Sequence, residues 1–103
     1  MASYIKSKLI TVVALSEGAG WVCDVTVEQR GRRTEHTVTV SSASLARWGG
    51  GKLDQYAVED LVRRSFEFLL EREPATSILP RFDLSVIESY FPEYDEMFRS
   101  GSG

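Results

Sequence analysis

The chain is poor in the residue types that do nucleophilic or metal chemistry, with one histidine and one cysteine among its 103 residues. A lone Cys23 excludes an internal disulfide and a thiolate metal cage, and a lone His36 excludes any paired-histidine metal site. A reactive thiol needs a base and exposure. Cys23 and His36 fall on neighbouring, not directly paired, strand positions, so no catalytic dyad is assigned to them. Long apolar runs are also missing. The longest, from Leu9 to Leu15, is broken by Thr11 and falls well short of the ~20 residues a membrane span needs. Lys6 and Lys8 precede that run, but it leads into Ser16-Glu17-Gly18-Ala19-Gly20, which reads as strand and turn and not as a secretory leader. The glycine run Gly49-Gly50-Gly51-Lys52 lacks a hydroxyl residue after its lysine, because Leu53 follows. It is therefore a joint and not a phosphate loop. Nor do the carboxylates Glu88, Glu93, Asp95 and Glu96 follow a calcium-loop spacing. These shortages leave no catalytic residue, cofactor or metal to assign.

What the chain does have is apolar and aromatic substance, at 43% and 11%, enough to build one soluble domain over residues 1–99. Ser100-Gly101-Ser102-Gly103 is a tail flexible by composition. A single free thiol fits a reducing cytoplasm. Charge is uneven: residues 1–55 carry seven Lys/Arg and five Asp/Glu, whereas residues 56–103 carry five and ten. The acidic second half opposes wrapping by nucleic acid, whose binding rests on neutralising phosphates. A local basic patch remains at Arg30, Arg32 and Arg33, with no aromatic interleaved for base stacking.

The periodicities predict an α+β fold, a three-stranded antiparallel meander followed by one main helix and a short C-terminal helix. Alternation from Trp21 to Val40 closes on Arg30-Gly31 as a two-residue type I′ turn. That register pairs Trp21 with Val40, Cys23 with Val38 and Val25 with His36 on one face, and sets Glu28 against Arg33 on the other. The first strand, from about Tyr4 to Leu15, is apolar on both faces, so its pattern does not select a register. A five-residue loop, Ser16 to Gly20, would pair Leu15 with Trp21 and Val13 with Cys23, leaving Ile10 and Val12 on the outer face. Ser44 to Trp48 can form one helical turn before the glycines. The main helix is expected over 57–73, with Val58, Leu61, Val62, Ser65, Phe66 and Leu69 inward, ion pairs Glu59–Arg63 and Asp60–Arg64 outward, and Pro74 as the stop. Asp83 is placed as the N-cap of a helix starting at Leu84 and broken by Pro92.

The stretch Val58 to Pro74, with Ser77-Ile78-Leu79, Phe82 to Ile87 and Tyr90 to Tyr94, resembles a family of small uncharacterised bacterial proteins. The resemblance reaches the hairpin only loosely. It implies a free-standing bacterial, cytoplasmic protein and carries no activity with it.

Surplus apolar surface points to a protein–protein interaction module, a homodimer or an adaptor, with no membrane partner. Candidate contact residues are Ile10, Val12, Trp48, Phe68, Tyr90, Tyr94 and Phe98, since large aromatics concentrate at the energetic centres of interfaces. The alternative is weak nucleic-acid or other anion binding through Arg30, Arg32 and Arg33.

Overall fold

A computed structural model of the chain describes residues 8–50 and 52–99. Residues 4–7 of the expected first strand, Gly51 of the glycine joint and the tail Ser100 to Gly103 lie outside the described residues. Strands β1 (Lys8–Glu17), β2 (Gly20–Gln29) and β3 (Arg32–Val40) form the meander. Helices α1 (Ser42–Trp48) and α2 (Gln55–Leu70) follow, then a 3₁₀ turn (Ala75–Ser77), β4 (Arg81–Asp83), α3 (Val86–Tyr90) and α4 (Glu93–Phe98).

The β2–β3 hairpin has the register that its alternation demands, from Trp21 opposite Val40 to Glu28 opposite Arg33. Its turn residues Arg30 and Gly31 both have positive φ, 56° and 76°, as a type I′ turn requires. The β1–β2 connection differs from the five-residue loop. Only Gly18 and Ala19 lie outside the strands, and Gly18 takes φ +60° at the first central position, the backbone sign of a type II′ turn. Ser16 and Glu17 join β1, and pairing slips by one residue to Ala14 opposite Cys23 and Val12 opposite Val25. A one-residue slip exchanges the two faces of a strand. Ile10, Val12 and Ala14 therefore pack inward, while Leu9, Val13 and Leu15 point away from the helices.

The sheet has four strands and is mixed, not a three-stranded meander. Residues Arg81 to Asp83 add β4 to β3 in parallel, with Phe82 beside Val38. The Thr37 amide donates to Pro80 O (2.8 Å) and the Leu84 amide to Thr39 O (2.9 Å). Asp83 accordingly sits at the end of a strand and not at a helix N-cap. Its carboxylate takes hydrogen bonds from Thr39 Oγ1 (2.6 Å) and from the Ser85 hydroxyl (2.6 Å), fixing the turn into α3.

Ser41 caps α1 and Asp54 caps α2, each through its side chain. Every residue of the expected inward stripe of α2 is buried, with Phe66 in contact with both His36 and Phe82 and Ser65 hydrogen-bonded to Tyr94 of α4. The helix ends at Leu70, three residues short of the expected Glu73, with the Arg72 and Glu73 amides both turning back to Leu69 O ahead of Pro74. Asp60 takes both Arg63 and Arg64. Glu59 instead turns to β1, so the Glu59–Arg63 pair does not form. No helix among the described residues is long and apolar enough to cross a membrane.

Candidate interaction surface

Among the described residues α2 packs on the sheet face that carries Ile10, Val12, Ala14, Cys23 and Val25, and the opposite face is open to solvent along β1. Along β1 that face presents Leu9, Val13 and Leu15 at 59%, 49% and 62% exposure. By register they stand opposite Glu28, Asp24 and Val22. Farther across, the same face carries Arg33, Glu35, Thr37 and Thr39 on β3. Its apolar substance is thus concentrated in a stripe on the edge strand. Three large apolar side chains in one row are more than the scattered exposure ordinary for a monomer surface.

The edge itself is guarded. In a hairpin with a two-residue loop, the residues flanking the turn form a hydrogen-bonded pair, so the even-numbered amides of β1 point outward. The Ala14 amide donates to Glu59 Oε2 of α2 (3.0 Å), and Gln55 Nε2 holds the same oxygen at 3.1 Å. A carboxylate placed across an open edge disfavours addition of another strand. Contact with a partner would run through the outward side chains and not through backbone pairing.

The aromatic residues expected at an interface divide differently. Trp48, Phe68 and Tyr94 are buried, and Phe98 is half-buried with its ring stacked on Tyr94 at 4.3 Å. Phe68 meets Phe91, Tyr94 and Phe98 edge-on. The Arg72 guanidinium lies 3.5 Å above the Phe68 ring and pairs with Glu93 at 3.1 Å. The physical reason is size: a short chain needs these rings to close its helical layer, since α3 and α4 are too short to hold themselves in place. Tyr90, at 68% exposure, is the member of the set left well outside. Ile10 and Val12 are likewise packed against the core, so the outward residues of β1 are the other parity.

Two carboxylates from the acidic stretch are committed internally. Asp95 is buried and accepts from Arg47 Nε (2.6 Å), Trp48 Nε1 (2.9 Å) and Arg99 Nη2 (2.7 Å). The hydrogen bond from Arg47, then those from Trp48 and Arg99, hold its carboxyl well below the usual range. Glu93 serves Arg72. Among the described residues no group of three or more His, Cys, Asp or Glu side chains could hold a metal ion.

Cys23 and His36 are both buried. Burial, then the charges of Glu59 and Asp24, push the Cys23 thiol up to about 12, so it stays protonated and unreactive in the folded chain. His36 is buried beside Phe66 with its ring centroid 5.3 Å away. Its Nδ1–H donates to Leu79 O (2.9 Å), since a carbonyl can only accept. That leaves Nε2 to take the hydrogen bond of the Thr34 hydroxyl (2.9 Å). The histidine joins β3 to the segment that leads into β4.

At the hairpin tip Arg33 is occupied by Glu28 (3.7 Å) and Glu35 (3.5 Å). Arg30 and Arg32 are exposed, and Lys8 from the start of β1 lines the same shallow hollow. The tip therefore brings Lys8 together with Arg30 and Arg32 in a hollow that Glu28 also lines, while Arg33 is held by its carboxylate partners; Lys8 is the member that the sequence did not place there. Comparison of the chain with protein-family models, with curated proteins and with solved structures returned no match.

Proposed function

We propose that the protein is an interaction module that binds a second copy of itself through the outer face of β1. The exposed row Leu9, Val13 and Leu15 carries this reading. Removing such side chains from water contributes roughly 25 cal/mol per Å² of apolar area. The guarded edge favours face-to-face contact, and the bordering Glu28, Arg33 and Glu35 supply both signs of charge. A patch that meets its own copy across a two-fold axis needs that self-complementarity.

Size exclusion with light scattering should report a dimer at high micromolar concentration. The pair Val13→Asp and Leu15→Asp should give a monomer with an unchanged circular dichroism spectrum, because both side chains are solvent-facing. A clean monomer for the unmodified chain at that concentration sinks the reading.

The convergence of Lys8 with Arg30 and Arg32 supports a second reading, weak phosphate-backbone binding at the tip. It predicts salt-dependent binding to duplex or single-stranded nucleic acid, with the log–log salt slope falling by about one for each of Arg30 and Arg32 changed to alanine. Absence of binding at low salt removes it.

A further inference from the structure

A cleft of about 480 Å³ opens on the far side of the domain from β1. Its walls come from the C-terminal end of α2 (Leu69), the connection beyond it (Glu73, Ser77, Ile78, Leu79), β4 (Phe82) and α3 with the residue after it (Val86, Ile87, Tyr90, Phe91). This volume lies within the ~300–1,000 Å³ common for small-molecule sites, and its lining has their usual make-up, an apolar body with few polar groups. The floor is fixed. Phe82 is held in the sheet beside Val38, Ile87 is nearly fully buried, and the Leu79 carbonyl is bound to His36 Nδ1. The rim is open, with Leu79 and Tyr90 at 46% and 68% exposure.

Glu73 gives the cleft its polarity. It is half-buried in the wall, and among the described residues its carboxylate makes no ion pair or hydrogen bond, although Arg72 beside it is used by Phe68, Glu71 and Glu93. An unneutralised carboxylate that shares the lining with Phe82, Tyr90 and Phe91 favours a cation over a neutral or anionic group, with Tyr90 the most exposed of the three rings and Phe91 already 6.0 Å from the Arg72 guanidinium. The carboxylate attracts it directly, and ring faces attract it through their quadrupoles. The surrounding second half of the chain is acidic, which adds to that field and repels anions. We infer that this cleft binds a small amphipathic molecule with an apolar body and a single cationic head, the head seated at Glu73. The site is independent of the β1 surface and stands or falls without it.

Three probes of one shape separate the possibilities: phenylbutylamine, its alcohol phenylbutanol and its acid phenylbutyrate, titrated into the whole protein by heteronuclear NMR. The amine should shift the amides of Ile78, Leu79, Val86 and Phe91 saturably. It should bind about tenfold more tightly than the alcohol and more tightly still than the acid. Glu73→Gln should remove the preference for the amine and leave the alcohol unchanged, whereas Tyr90→Ala should weaken amine and alcohol alike. Glu73→Gln keeps the shape of a side chain that has no ion pair or hydrogen bond among the described residues, and Tyr90 is 68% exposed, so the melting temperature should hold, which separates loss of binding from loss of fold. Three results overturn the inference: equal binding of amine and alcohol, which would mark a seat for an apolar side chain of a partner; an amine preference that survives Glu73→Gln; or no saturable binding of any probe.

Discussion

Phe66→Ala should lower the unfolding free energy by about 3–5 kcal/mol, a large share of the ~5–15 kcal/mol that holds a domain together. Phe66 is fully buried on α2, and its ring lies 5.3 Å from that of His36 and 6.1 Å from that of Phe82. One side chain therefore fastens the main helix to β3 and to the short parallel strand β4. A cavity there cannot close easily, because His36 is tied at both ring nitrogens and Phe82 is fixed by pairing. The loss should be uneven. Hydrogen-exchange protection of the Thr37 and Leu84 amides, which bridge β3 and the β4 segment, should fall further than that of Val25 in mid-sheet. Urea unfolding followed by circular dichroism measures the total. A loss below about 1 kcal/mol would mean that the pocket around Phe66 collapses freely and is not closely packed.

Asp95→Ala should have the next largest effect, and it should act at the other end of the helical layer. The indole N–H of Trp48, itself buried, would lose its acceptor, a cost of about 1–3 kcal/mol by itself. Arg47 and Arg99 would face each other without the carboxylate between them. Helix α4 spans six residues, too short to persist without these ties, so it should fray. Trp48 emission should then shift to the red as water reaches the ring.

Asp95→Asn isolates the ionic part through pH. The folded carboxyl is held below its ordinary value by Arg47, Trp48 and Arg99. The unfolded chain therefore takes up a proton near pH ~3.9 while the folded chain does not, so this contribution is complete above that pH and is lost as pH falls further. Asp83 and Glu93 are also held low. In Asp83, hydrogen bonds from Ser85 and Thr39 outweigh the opposing effect of its partial burial; in Glu93 the backbone amide acts first and Arg72 next. The informative quantity is thus the difference between the parent and Asp95→Asn, which should narrow between about pH 5 and about pH 2. A gap that stays constant across that range would mean that the ionised carboxylate contributes nothing beyond its shape.

How far these features were legible depended on whether the signal was local and one-sided. The β2–β3 hairpin was readable because Cys23, Val25 and Val27 alternate with Asp24, Thr26 and Glu28, and Arg30-Gly31 suits a single turn type. The inward stripe of α2 was readable for the same reason at helical spacing. β1 was not, because Leu9, Val13 and Leu15 are as apolar as Ile10, Val12 and Ala14. Its parity was decided by a two-residue turn at Gly18-Ala19 and by Glu59 reaching the Ala14 amide from forty-five residues away. β4 carries no strand signature over its three residues, and only pairing with β3 makes it one. Glu73 carries no signal in the sequence, and only the tertiary fold sets it in the wall of a cleft.

By itself the sequence determined the class of fold, one hairpin register, the buried face of the main helix and the poverty of catalytic side chains. These rest on interactions between residues near in sequence, or on composition. Tertiary structure decided which face of β1 meets water, that Trp48, Phe68 and Tyr94 are buried in the core, and that the chain has a cleft. Each of those depends on which distant segments take up a given patch of apolar surface. Hydrophobic burial is non-directional, so a list of apolar residues cannot say which of them will find one another.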